Sequence, residues 1–435
     1  MTSRSVAPAS RLDATLTVPG DKAISHRALI VGSIARGRSY VGNVSPAADV
    51  TATAECLRAC GVWLRDFADG RVALDGAGPG MSLRTPAVTL DCANSGTTMR
   101  LLAGALAGHD CTAELTGDAS LRKRPMRRVA APLTAMGATV RVSPDGTAPL
   151  HVEGRSSLRA VDWTPETPSA QVKSLVLLAA LSADGVSTVR ERIATRDHTE
   201  RLLRRCGVSV RTDGDVVSIT PGAVAPFGMR VPGDISSAAF FLCLGAALPG
   251  SRVRMQRVGL NPGRTGVLDA LRDMGATVVV EPAAADESAE PEGDVEVRGG
   301  ALQGTVIAGD LVTRCIDELP VLAVLATQAE GETLIRDAAE LRAKESDRIS
   351  AVVEGLRAFG GVCEAADDGL VVQGPSRLRA ARVDARGDHR LAMAFAVAAS
   401  IAAADSGESV IESADSAAVS YPAFFDDLAR AVRSR

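Results

Sequence analysis

The sequence predicts an α/β protein of six similar strand–helix units, grouped as two domains of three, with the most apolar helices enclosed by sheet. Two recurring patterns carry this reading. Leu-x-x-x-Gly followed by a β-type run occurs at Leu57–Gly61, Leu133–Gly137, Leu203–Gly207, Leu271–Gly275 and Leu356–Gly360. Alternating with it, a Ser or Asp opens a strongly apolar helical stretch at Ser25, Ser95, Ser169, Ser236, Asp317 and Asp388, spaced 67 to 81 residues apart. Length is the third observation: 435 residues exceed one simple core and suit two domains of roughly 200 residues each.

The units follow in order. The first has the apolar stretch SHRALIVGSIA, an amphipathic helix ending at Gly61, and the strand VWLRDF. SGTTMRLLAGALA and ATVRV mark the second, SAQVKSLVLLAAL and VSVR the third. SSAAFFLCLGAAL with ATVVV, and DELPVLAVLA with GVCEA, give the fourth and fifth. The sixth opens DHRLAMAFAVAAS; its second helix, FFDDLARAV, keeps Leu428 but lacks the closing Gly. A helix apolar on all sides must be sheathed by other elements, whereas an amphipathic one sits at a surface. Each Gly stands where a left-handed residue ends a helix. A leucine-rich or HEAT-type solenoid is excluded, because a period of about 70 residues is too long for those repeats.

Composition narrows the function. Aromatic residues are 3% of the chain, so the core is aliphatic and the platforms of base-stacking nucleic-acid modules are missing. A net charge of -4 gives no bulk attraction to nucleic acid or membrane, so any anion binding is local. The first twenty residues lack the apolar segment of a secretory signal, and the longest apolar stretches suit core helices rather than membrane spans. Eight Cys without a C-x-x-C pair predict buried free thiols in the cytoplasm. No phosphate-binding P-loop or dinucleotide fingerprint occurs, and the five His form no metal-ligand spacing, so no metal site is expected.

The helix starts point to anions. A helix N-terminus carries unpaired N–H groups and partial positive charge. Five of the six starts have their own polar set: Lys22, Ser25 and Arg27; Asn94, Gly96, Thr97, Thr98 and Arg100; Ser169, Gln171 and Lys173; Asp317 and Glu318; Asp388, His389 and Arg390. The Ser236 start is expected to be structural. Two basic stretches add to these, LRKRPMRR with Arg124 and ELRAKESDRI with Lys344, Glu345 and Arg348. Arginine suits carboxylates and phosphates because its planar fork binds them bidentately.

The segments VPGDKAISHRALI, DCANSGTTMR, TGDASLRKRPM, SAQVKS, TRDHTE, NPGRTG, IDELPVLA, LRAKESDRI and DHRLAMAF, in this order over essentially the whole chain, resemble the 5-enolpyruvylshikimate-3-phosphate (EPSP) synthases. The resemblance implies a two-domain enolpyruvyl transferase-like fold, an inside-out α/β barrel with three βαβαββ units per domain. It implies one discontinuous domain, 1–19 plus 234–435, a second over 20–233, and an active site in the cleft between them. It also implies a cofactor-free monomer that moves the enolpyruvyl group of phosphoenolpyruvate (PEP) to the 5-hydroxyl of shikimate 3-phosphate. By the same resemblance Glu345, Asp317 and Lys22 handle protons. Lys22, Gly96, Arg124, Gln171, Arg348 and Arg390 meet PEP, while Arg27, Ser169, Gln171, Thr195, Asp317 and Lys344 meet shikimate 3-phosphate. Glyphosate is expected to take the PEP position beside Gly96.

Four positions depart from the family pattern: Ala23 for Ser, Ala93 for Gly, Arg127 for Gly and Val419 for Lys. Arg127 is a candidate substitute for the cation missing at Val419. Two rival readings share the fold. The enolpyruvyl transferase acting on UDP-N-acetylglucosamine carries a Cys in the loop that here reads GDASLRKRP, with Ala119 at that place. A catalytically dead binding protein of the same fold is the other, against which stand Lys22, Arg124, Asp317, Glu345, Arg348 and Arg390.

Overall fold

The computed structural model describes residues 2–67, 69–76, 83–284 and 289–433. The chain forms two compact units. The inserted unit is Gly20–Val231 with Ala289 and Glu290; the split unit is Met1–Pro19, Pro232–Ala284 and Pro291–Arg435. Each has its own hydrophobic core.

In the inserted unit the apolar helices are α1 (Lys22–Ile34), α3 (Gly96–Ala107) and α5 (Ala170–Ala180), alternating with α2 (Ala48–Ala59), α4 (Arg127–Ala135) and α6 (His198–Arg205). All three sheets have one topology. The second, for example, runs Leu90–Asp91, Thr112–Thr116, Leu150–Glu153, Thr139–Arg141, with the first pair parallel and the rest antiparallel. In the second and third sheets the parallel pair flanks an apolar helix, α3 or α5, which is the βαβ crossover. α3 and α5 pack closely at Gly104, where a Cβ would lie 2.4 Å from the Leu175 carbonyl oxygen.

The split unit holds α7 (Ile235–Ala247), α8 (Gly266–Asp273), the short α9 (Asp310–Cys315), α10 (Leu319–Ala326), α11 (Arg348–Ala358), α12 (His389–Ile401) and α13 (Phe424–Arg433). Every residue of α7 is buried, as the absence of a polar stripe requires. Its sheets reuse the topology with one exchange of strands. Asp13–Leu16 pairs in parallel with Arg252–Gly259, and Arg4–Val6 pairs with Ser409–Glu412 in a sheet of only three strands. The inserted unit closes its first sheet with Gly228–Arg230 against Arg38–Gly42.

The structure explains the repeated phrase. Gly61, Gly137, Gly207, Gly275 and Gly360 all have positive φ, between 82° and 101°. At each, the Gly N–H and the next N–H turn back onto the helix, the second onto the carbonyl of the repeated Leu, as in Val62 N to Leu57 O at 3.1 Å. This is the Schellman closure, with Leu supplying the carbonyl and Gly the left-handed residue.

Three helix starts differ from expectation. Ser95, Ser169 and Asp388 cap their helices, but α1 is capped by Asp21 and α7 by Asp234. Ser25 lies inside α1 and accepts from Ser45 N at 3.0 Å. α10 begins after Glu318, whose side chain caps nothing. All eight cysteines are free and buried.

Candidate functional site

In the inserted unit, Lys22 is the first residue of α1 and its Nζ lies 2.9 Å from Asp49 Oδ2 in the first turn of α2. Arg27, further along α1, is fully buried. Its Nε donates to Thr199 Oγ1 at 2.7 Å, Nη2 to Ser174 Oγ at 2.9 Å and Nη1 to the Ala23 carbonyl at 2.9 Å. Two of its five N–H groups are outside these bonds. Burial, and then the charge of Arg196, bring its pKa down to about 10, so it stays cationic at neutral pH.

The start of α3 gathers two guanidinium groups. Gly96 is its first residue, and a Cβ there would lie 2.9 Å from Arg100 Nη1 and 3.2 Å from Arg124 Nη1. Arg124 donates to Asn94 Oδ1 at 3.2 Å, and Arg100 to Gln171 Oε1 on α5. Gln171 returns a bond to Thr97 Oγ1 at 2.8 Å. Two guanidinium groups, an amide and a helix N-terminus thus share one small volume, an arrangement suited to a multiply charged anion. The family resemblance assigned no role to Arg100, although the sequence placed it in the polar set of this helix start.

Ala93, one residue before Asn94, has φ 49°, so the methyl that replaces the usual Gly stands in left-handed backbone. Arg127, the first residue of α4, donates through Nη2 to the Pro144 carbonyl at 2.7 Å. Thr195 is tied to Glu191 through its hydroxyl. Glu191 also holds Lys173, whose buried Nζ lies 2.7 Å from both Glu191 and Glu200. Burial raises the pKa of Glu200, with Lys173 opposing the shift.

In the split unit the focus is Arg348, the first residue of α11. Its Nε donates to Asp388 Oδ2 at 2.8 Å and its Nη2 to Glu345 Oε2 at 2.6 Å. Nη1 lies 3.7 Å from Asp317 Oδ1 and makes no hydrogen bond among the described residues. Burial opposes its charge, but Asp388, Glu345 and Asp317 together outweigh that and raise its pKa above the ordinary value. Lys344 Nζ stands 3.9 Å from Asp317 Oδ1, and Arg264 Nη1 donates to Asp317 Oδ2 at 3.3 Å. Asp388 caps α12 by accepting from Arg390 N at 2.9 Å, which places Arg390 in that helix's first turn.

The structure therefore brings Asp317, Lys344, Glu345 and Arg348 together in one unit, and Gly96, Arg124 and Gln171 together in the other. Among the described residues no group of three His, Cys, Asp or Glu could hold a metal ion, and no helix is long and apolar enough to cross a membrane.

Six apolar helices under repeated βαβ sheets, with cations crowded at helix starts, define an enolpyruvyl transferase-like protein. That fold is shared with the enolpyruvyl transferase NikO from Streptomyces tendae, at TM-score 0.78 and 18% identity over 98% of this chain and 96% of that one. The chain belongs to the EPSP synthase (3-phosphoshikimate 1-carboxyvinyltransferase) family, whose model matches residues 6–428. It is 48% identical over 424 residues to the 3-phosphoshikimate 1-carboxyvinyltransferase of Geobacillus kaustophilus, covering 96% of this chain and 97% of that relative. The enzyme of that description from Chloroflexus aurantiacus is 48% identical over 425 residues, with 96% of each chain covered. Among solved structures, EPSP synthase from Acinetobacter baumannii superposes with TM-score 0.88 and 38% identity over 99% of this chain and 98% of that one.

Proposed function

We propose that this chain transfers the enolpyruvyl group of PEP to the 5-hydroxyl of shikimate 3-phosphate, releasing inorganic phosphate, on the shikimate route to chorismate and aromatic amino acids. The observation that carries the reading is the Arg348 node, where one buried guanidinium gathers Asp317 and Glu345. The chemistry requires two such carboxyl groups. PEP is a weak electrophile until its methylene carbon is protonated, which makes C2 cationic. Glu345 supplies that proton, while Asp317 accepts the proton of the attacking hydroxyl. Glu345 then takes a proton back from the methyl group as phosphate leaves the tetrahedral intermediate. Lys22 assists with protons near PEP.

The substrates together carry two phosphates and two carboxylates, so fixed cations supply the stabilisation. PEP is assigned to Lys22, Gly96, Arg124 and Gln171, with its carboxylate on Arg348 Nη1 and Arg390. Shikimate 3-phosphate is assigned to Arg27 through its carboxylate, to Ser169, Thr195 and Gln171 through its phosphate, and to Asp317 and Lys344 through its hydroxyls. For Thr195 this requires its hydroxyl to exchange Glu191 for the phosphate. The reaction needs both sets of residues to act on one pair of substrates. The enzyme is read as a cytoplasmic monomer that uses no cofactor and binds neither nucleic acid nor membrane.

The test is phosphate release from PEP with shikimate 3-phosphate, compared with UDP-N-acetylglucosamine as acceptor. Release only with shikimate 3-phosphate is expected. Release only with the UDP-sugar, or with neither acceptor, overturns the reading; the family match already disfavours the UDP-sugar.

A further inference from the structure

Behind Asp317 lies a buried ionic cluster to which the reaction above gives no role. Arg264, in the segment NPGRTG that leads into α8, is 4% exposed. Its Nη2 donates to Ser236 Oγ in the first turn of α7 and lies 3.4 Å from Glu318 Oε1. Ser236 donates its own proton to that same Glu318 oxygen. The Glu318 side chain is fully buried, and its Oε2 has no hydrogen-bond partner among the described residues. At the other end of the guanidinium, Nη1 donates to Asp317 Oδ2 at 3.3 Å.

Two buried charges are costly to desolvate, and their mutual attraction offsets this only with good geometry. A structural helix start needs neither of them. The arrangement makes sense as a mount. Arginine is planar, so a guanidinium clamped at Nη2 by Ser236 and Glu318 presents Nη1 in a fixed direction. Asp317 Oδ2 is thereby held, and Oδ1 is left toward Arg348 and Lys344. Glu318 offsets the charge of Arg264, one of the cations beside Asp317. Among the described residues Arg264 meets Asp317 from behind, with Glu318 on the far side of that guanidinium, and Lys344 and Arg348 meet it from the segment entering α11. Glu345 and Asp388 act on it through Arg348.

We infer that Arg264 is a positioning residue for Asp317, mounted on Ser236 and Glu318, and that Glu318 sets the charge balance under which Asp317 works. The inference rests on the reading of Asp317 as the acceptor of the hydroxyl proton.

The experiment is the pH dependence of kcat and KM for the full chain with PEP and shikimate 3-phosphate. The variants are Arg264→Met, Arg264→Lys, Glu318→Gln, the double variant Arg264→Met/Glu318→Gln, and Asp317→Asn as reference. Removing a cation beside a carboxylate favours its protonated form, and removing an anion does the reverse. Arg264→Met is expected to lower kcat about 100-fold and to move the acid limb up by about one pH unit, with both KM values within about threefold. Glu318→Gln is expected to move that limb down, and Arg264→Lys to recover about tenfold of the lost kcat. A merely structural contact moves no limb in opposite directions. The double variant leaves no unpaired buried charge, so it tests the idea even where Arg264→Met does not fold, and it must keep the low kcat. An unmoved limb in the single variants, or wild-type kcat in the double one, overturns the inference. Wild-type turnover in Asp317→Asn instead overturns the reading of Asp317.

Discussion

Adding one methyl group at Gly96 separates the anion site from the fold that carries it. The new Cβ would stand 2.9 Å from Arg100 Nη1, 3.2 Å from Arg124 Nη1 and 3.4 Å from Arg100 Cζ. Ordinary contact is about 3.5 Å, so the Arg100 end must withdraw by about 0.6 Å and the Arg124 end by about 0.3 Å. Both are tips of flexible side chains, and Ala is a better helix residue than Gly by about 0.5–1 kcal/mol, so folding stability should hold or rise slightly. Binding is another matter. A misplacement of about 1 Å can cost about 100-fold, so half of that is worth about tenfold, or about 1.4 kcal/mol. Gly96→Ala is therefore expected to raise KM for PEP about tenfold. KM for shikimate 3-phosphate should stay within about twofold, and glyphosate inhibition should weaken in parallel with PEP binding. Steady-state phosphate release with each substrate varied in turn, together with thermal unfolding, measures all of these. A KM for PEP within twofold of wild type, or equal losses for both substrates, would refute the placement of PEP at this helix start.

Three other outcomes follow from single residues. Glu345→Gln keeps the size of the side chain beside Arg348 and removes its proton transfer, so kcat should fall by about 10³-fold with little change in either KM, by single-turnover and steady-state rates; unchanged turnover would remove Glu345 from its role. Ala93→Gly relieves left-handed strain of about 1–2 kcal/mol, partly offset by the entropy of Gly. A gain of about 0.5–1 kcal/mol in urea unfolding is expected, and no gain would mean that the loop accommodates the methyl without strain. His26 is held well below its ordinary pKa by burial first, then by Lys22 and Arg27. It stays neutral when folded, whereas the unfolded chain protonates it below about pH 6.5. Stability should therefore fall by up to about 1.4 kcal/mol per pH unit below that point, and His26→Gln should lose this component. An identical pH slope in the variant would show that another group is responsible.

What the sequence determined by itself was local. Each Leu-x-x-x-Gly phrase encodes a helix end, because the closing bonds join residues at most five apart and only the left-handed residue is demanding. Ser95, Ser169 and Asp388 were legible as caps for the same reason. The segments that carry the family resemblance also made the chemistry readable before any side chain was placed. Other features were decided by groups far apart in the chain. Ser25 and Ser236 do not cap, because Asp21 and Asp234 take that place and leave both hydroxyls to buried partners. The strands at Arg4–Val6 and Asp13–Leu16 complete sheets whose other members lie hundreds of residues away, a pairing that no short-range pattern signals. Arg100 meets Gln171 across 71 positions, and Arg264 meets Asp317 across 53. The helix starts on which the fold was first read remain the carriers of the charge. Which start serves chemistry and which serves as a mount depends on desolvation and on partners that only packing brings within hydrogen-bond reach.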